Sequence, residues 1–424
     1  NSVAGNTVLG ESALDASVSG GNNTAIGKNA LTALTSGTNN TAIGSESLIT
    51  NQTGNSNTAI GHDTLNQNTG GNNTALGVNA LKVNTSGEDN CSIGVNSLVA
   101  NTTGDDNIAL GNNSLAANTT GSNNVGIGHN SLNDNTTASN LTAVGKDALG
   151  TNTTGGENTA VGYISLFDNT TGSRNTAIGN FSLESNTTGN DNTGLGKGAL
   201  QKTTTASNNT AVGSAALKEN TTGHSNVAVG TNALDANTTG IRNNAFGYEA
   251  LSANTTANDN NAFGYFSLKN TTTGANNSAF GRATLENNTT GAQNTAIGFK
   301  AMQITTSGSN NTALGAFSLD ANTTGSNNVA IGRDALGSNT TSNNNTAVGY
   351  QSSISNTTGT LNVAVGFQAL DTNSTGSNIV AIGANALDAN TTANNNTAVG
   401  YHSLLSNTTG TQNVAVGSEA LDAN

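Results

Sequence analysis

The chain has 424 residues, no proline or tryptophan, 9% charged and 3% aromatic residues, and a net charge of −13. Ordinary globular domains are about 25% charged, and the acidic balance without any basic cluster argues against nucleic acid as a partner. No apolar run reaches the ~18 residues of a membrane-spanning helix, and a lone cysteine excludes an internal disulfide or a cysteine metal cluster.

Four scattered histidines leave little for acid–base chemistry, and no enzyme activity is expected. The first residues show no signal-peptide pattern, so a signal was either removed earlier or never existed.

One motif organises the whole sequence. T-A-I-G or a close variant recurs with its glycine at Gly10, Gly27, Gly44, Gly61, Gly77, Gly94 and onward to Gly417. The spacing is 17 residues, except for 16 between Gly61 and Gly77. Twenty-five such anchors cover residues 1–424 without a linker, so the chain reads as one uninterrupted repeat domain.

From the anchor, each repeat reads G-x-x-[AS]-L-x-x-N-T-T-G-x-N-N-[TV]-A-[IV]. The fourth position is Leu in 23 of 25 repeats, with Met302 and Ser353 as exceptions; Ile354 is placed to fill the gap beside Ser353. The A-L pair is expected to begin a short extended segment. N-T-T-G is turn chemistry, since Asn and Gly tolerate left-handed backbone. N-T-A-I-G alternates with period two, as a strand does. Thr, Asn and Gly are poor helix formers, and 17 residues leave no room for a helix pair. The expectation is an all-β parallel β-solenoid of 25 coils.

The larger side chains orient the strand. Leu14, Leu31 and Leu48 with Ile26, Ile43 and Ile60 are read as inward core ladders. The small residues Ala25, Ala42 and Ala59 and the Ala/Ser/Thr before each Leu are read as flat outward stripes. The 37 charged residues fall only at positions one, two, five, six, eleven and twelve after the anchor, which are taken to face water. Asn at positions seven and thirteen is expected to bond coil to coil, as in other stacked β structures. At about 4.8 Å per strand, 25 coils would give a rod of roughly 120 Å.

Along the chain, Glu88, Asp89, Asp105 and Asp106 put four carboxylates on two adjacent coils. They are the candidate site for Ca²⁺, which takes oxygen ligands. The competing reading, a solvated acidic patch, is favoured because the glycine-rich calcium nonapeptide is absent; no other metal or cofactor is expected. Cys91 is read as a small inward residue. Seventeen-residue stacking aligns Glu157, Arg174 and Asp191 in an acid–base–acid ladder, and sets Lys218 against Asp235, Arg242 against Asp259 and Lys269 against Glu286. Phe246, Phe263 and Phe280 are expected to stack inward and widen the core locally. Five tyrosines follow anchor glycines and are expected at the surface. N-T-T and N-N-T match the glycosylation sequon, read as a by-product of turn chemistry.

The motif N-x-[TV]-A-[IV]-G resembles the head repeats of trimeric autotransporter adhesins. The full unit with A-L-x-x-N-T-T-G also resembles repeats of bacterial surface and phage tail-fibre-like proteins. The resemblance implies a left-handed parallel β-roll at the cell surface and association of chains. This chain departs from the adhesin heads in its longer repeat and in showing no stalk or anchor. The seven residues after Gly417, ending Leu421-Asp422-Ala423-Asn424, and the ten up to Gly10 together complete one repeat, so copies are expected to stack head to tail, and laterally through the small-residue stripes. The alternative is a segment of a longer array. Function is then read as a structural subunit of an extracellular filament or surface fibre, with adhesion to an unidentified surface ligand as an extension. The alternatives are a segment of a larger adhesin or phage tail fibre, and an ice-binding protein.

Overall fold

A computed structural model describes residues 5–423. The parts of the head-to-tail expectation that fall on residues 1–4 and 424 lie outside the described residues. Among the described residues, twenty-five three-residue strands run from β1 (Thr7–Leu9) to β25 (Val414–Val416), one per repeat, and no helix is present. The chain is an all-β parallel β-solenoid. It divides into two compact units, residues 1–209 and 210–424.

In the first unit, β1 to β12 (Thr193–Leu195) pair in parallel order, each residue beside the one 17 positions later. The short coil changes the register by one: Thr58 of β4 (Thr58–Ile60) faces Thr74 of β5 (Thr74–Leu76). In the second unit, β13 (Thr210–Val212) to β25 continue the 17-residue register.

The strand faces inward through its alanine. Ala25, Ala42 and Ala59 are fully buried, whereas Thr24, Ile26, Ile43 and Ile60 are half-buried on the outer face. The expected orientation is thus reversed, and the residues before Leu are inward too: Ala30, Ser47 and Thr64 are fully buried. The reason is width. A Cβ added at Gly126, which takes the alanine position in its coil, would come within 2.6 Å of Ser114 Oγ. Opposite the Leu and Ala/Ser/Thr rows there is room only for Ala, Gly or, in one coil, the hydroxymethyl of Ser92, which is fully buried and bonds the Ser97 carbonyl. Cys91 sits in the outward Thr column and is half-buried.

Leu14, Leu31 and Leu48 are the core ladder, as expected. Their segment is not extended. The residue at position four has φ between 48° and 57° in all twenty-five coils, and position two is also left-handed throughout. Left-handed backbone disfavours residues branched at Cβ. This explains why the large core side chain at position four is Leu or Met302, neither branched at Cβ, and never Ile or Val. Ser353 occupies the position with its hydroxyl buried and unbonded, while Ile354 stays half-exposed and does not fill the gap.

The anchor glycines have φ of 130–142°. They also stack at close range: a Cβ on Gly264 would meet the Gly281 carbonyl oxygen at 2.4 Å. Coil-to-coil approach therefore demands glycine for two independent reasons.

Candidate functional site

The interior chemistry is a pair of asparagine rows. Asn277, at position thirteen, accepts from the Asn294 backbone N–H at 3.0 Å. Its amide donates to Asn260 Oδ1 at 3.1 Å and to the Gly291 carbonyl at 2.9 Å. Position seven makes a second row: Asn118 donates to Asn101 Oδ1 at 2.9 Å and to the Gly121 carbonyl at 2.9 Å, and Asn135 donates to Asn118. The first threonine of N-T-T donates to the next coil, as from Thr102 to the Thr119 carbonyl at 2.9 Å. The side chain at position eleven accepts from the preceding coil, as Asp105 does from the Glu88 backbone N–H at 2.8 Å. Parallel coils thus use polar side chains for axial stacking, where a wider protein would use apolar volume.

Faults in the row are readable. Where threonine replaces asparagine at position seven, the amide oxygen one coil earlier loses its donor. Asn254 Oδ1 precedes Thr271, Asn288 Oδ1 precedes Thr305 and Asn186 Oδ1 precedes Thr203; all three oxygens are buried without a partner. Thr271→Asn returns an amide to Asn254 and should stabilise the protein by about 1 kcal/mol. A thermal melt should show the higher midpoint; an unchanged or lower midpoint counts against this account.

The outer surface carries the charges. Arg174 grips Asp191 through two hydrogen bonds of 2.7 and 2.9 Å, and Arg242 grips Asp259 in the same way. The Arg174 guanidinium holds the Asp191 carboxyl below its ordinary range, and Glu157 adds to the field on Arg174. Lys269 departs from the expected vertical pairing. It bonds Glu249 at 2.8 Å, as Lys82 bonds Asp63 at 2.9 Å. Position five lies diagonally beside position two of the preceding coil, so the vertical neighbour Glu286 contributes only at longer range. Lys218 reaches Glu219 at 3.8 Å, and its charge also acts on Asp235.

Several aspartates at positions five and six sit half-buried. Burial pushes the Asp371 carboxyl up, and Asp388 adds to the shift; burial likewise raises Asp388, against the pull of His402. A carboxylate with a raised folded-state pKa destabilises the fold above that pKa. The penalty fades as pH falls through it toward the unfolded value. Asp371→Asn with Asp388→Asn should therefore raise the melting midpoint by a few degrees at pH 7. The gain should vanish near pH 3, below the ordinary carboxylate range of roughly 4. Melts of both proteins at the two pH values test the sign.

Phe246, Phe263 and Phe280 do stack, with ring centroids 4.6 and 4.8 Å apart and nearly parallel planes. They stack on the outer face, with Phe280 39% exposed, so they do not widen the core. The tyrosines are exposed as expected, and Tyr248 stacks on Tyr265 and Tyr350 on Phe367.

Glu88, Asp89, Asp105 and Asp106 are all exposed. Among the described residues, no group of three or more His, Cys, Asp or Glu side chains is arranged to hold a metal ion, and no helix is long and apolar enough to cross a membrane. The short coil leaves a shallow polar dent lined by Thr53, Asn55, Thr69, Asn72 and Glu88. No family model, curated protein or solved structure matches the chain.

Sequence reasoning missed the outward strand face. The signal was available as variability: the outward column holds Thr, Val, Ile, Cys, Asn and Ser, while the inward column is almost all Ala.

Proposed function

We propose that the chain is a structural protein, a shaft element of an extracellular filament or surface fibre, without enzymatic activity. The observation that supports this most is the dedication of the interior to axial stacking. Glycine, leucine and two asparagine rows repeat coil after coil, and each bonds mainly to the coil before and after. Its work is mechanical: it supplies stiffness and a repetitive surface. Tight coils and only 12 Lys plus Arg residues limit tryptic cleavage, which suits an exposed setting. Adhesion through the exposed tyrosines extends the same role.

Val416 of β25 is 70% exposed and Leu9 of β1 is 67% exposed. A further coil would cover these strands, whether it belonged to a second copy or to more of the same array. Electron microscopy of the purified protein, with fibre diffraction, tests the reading. Filaments with a meridional reflection near 4.8 Å support a self-stacking subunit. Isolated particles that keep this reflection support a segment of a larger adhesin or tail fibre. Compact particles without it overturn the structural reading.

One observation favours a second reading. Thr142, Thr159, Thr176 and Thr193 form an outward row of hydroxyls at one-strand spacing along the sheet. Such a row can order water as ice does, and thermal-hysteresis measurement on the purified chain decides it: no hysteresis removes ice binding.

A further inference from the structure

The outward strand face of residues 210–424 is both uncharged and largely apolar. Its two columns, running from Thr210 to Val414 and from Val212 to Val416, contain no charged residue in thirteen coils. The net charge of the unit is carried elsewhere. The second column is aliphatic or aromatic throughout, with the Phe246–Phe263–Phe280 stack, Ile297 44% exposed and Ile382 39% exposed. The polar members of the first column are partly self-satisfied: Asn244 donates to Asn261 Oδ1 at 2.8 Å along the column. Two residues beyond six of the thirteen strands come Tyr248, Tyr265, Phe299, Tyr350, Phe367 and Tyr401, all at least 37% exposed, with Arg282 and Arg333 as the only charges in this flanking column. Only Tyr163 takes that position in residues 1–209.

We propose that this face is a self-association surface, and that its occupant is the same face of a second copy. It deepens the structural reading by naming one partner and the surface that meets it. Three arguments select a copy. A periodic face packs best on a partner with the same axial repeat, and a copy has it by construction. Burying an uncharged face against itself incurs no like-charge or ion-desolvation cost, despite the chain's net charge of −13. The area is also sufficient. Thirteen strands about 4.8 Å apart and ~10 Å wide give roughly 600 Å² of flat footprint. The flanking aromatics bring this to the roughly 800 Å² per partner of a stable complex, and aromatics are enriched at such contacts. Two like faces meeting give an isologous, closed pair. Ordered water is the poorer occupant here, because Val227, Asn244, Asn261 and Val329 interrupt any hydroxyl row.

The test is sedimentation equilibrium of the full chain, beside the double variant Ile297→Lys, Val365→Lys and the control Gln293→Lys. Gln293 lies off this face at an exposed position where other coils carry charge. The wild type and control should sediment as dimers. The double variant should be monomeric, with at least a hundredfold weaker association and an unchanged thermal midpoint. A monomeric wild type at high concentration, or a dimer that survives both lysines, overturns the proposal. So does a monomer whose ice-shaping activity the lysines abolish, which would give the face to water. Filaments unaffected by the lysines would leave the structural reading standing and sink this one. A lysine-sensitive dimer without the 4.8 Å reflection would do the reverse.

Discussion

Gly264→Ala should destabilise the chain by about 3–4 kcal/mol, although it adds a single methyl group. Two costs combine. Alanine at φ +138° occupies backbone space that L side chains rarely enter. Its Cβ would also lie 2.4 Å from the Gly281 carbonyl oxygen and 2.6 Å from its carbon. Neither group can step aside, because Gly264 donates to the Phe246 carbonyl at 2.7 Å and Gly281 to that of Phe263 at 2.8 Å. Gly240→Ala is the matched control. A Cβ there would come just as close, 2.4 Å from Asn237 Oδ1 and 2.5 Å from the Ala257 carbonyl. Yet that position has no left-handed φ, and the chain itself places Ala138, Ala206, Ala257 and Ala393 in it. Its cost should stay below about 1 kcal/mol. Urea unfolding gives the two energies. Amide exchange should locate the damage from Gly264→Ala in its own coil and the next, since solenoid coils interact with nearest neighbours. Equal costs for the two variants would show that contact, and not backbone conformation, sets the demand for glycine.

The fold was legible because a repeat states its geometry many times. The period gave the parallel register, the strand at T-A-I and the arginine–aspartate pairs 17 residues apart. Orientation was misread because hydrophobicity alone ranked Ile26 above Ala25 for the interior. Space ranks them the other way when the coil is only a methyl wide at the strand. The left-handed Leu segment was legible in principle from the exclusion of Ile and Val at a buried apolar position. The diagonal pair Lys269–Glu249 was not, because it depends on how the left-handed residue at position two swings its side chain toward position five of the next coil. Of the candidate surface, the exposed tyrosines could be read directly from their frame position. The uncharged strand face could be seen only once the strand had been turned over.

The asparagine rows make the second large prediction, and it distinguishes hydrogen bonding from mere filling. Asn277→Asp keeps shape and volume but replaces an amide donor by an oxygen. That oxygen would face Asn260 Oδ1 and the Gly291 carbonyl, both acceptors, within about 3.1 Å. One donor, the Asn294 backbone N–H, would remain for a fully buried carboxylate. The cost should be about 4 kcal/mol at neutral pH, in the range for an uncompensated buried charge. Burial and facing acceptors would raise the folded-state pKa above the ordinary aspartate value. The penalty is then complete above the raised pKa and shrinks as pH falls through it, because a protonated carboxyl can donate once. Asn277→Leu is the contrasting variant. The chain carries Leu141 and Ile379 at this position, each fully buried with its backbone N–H still bonded to the asparagine one coil earlier. Its cost should be about 1–2 kcal/mol, from one orphaned N–H and lost amide bonds, and should not depend on pH. At pH 7 leucine should therefore melt well above aspartate, and by pH 3 the gap should narrow by half or more. A gap that stays constant across that range would mean that the rows act by packing alone.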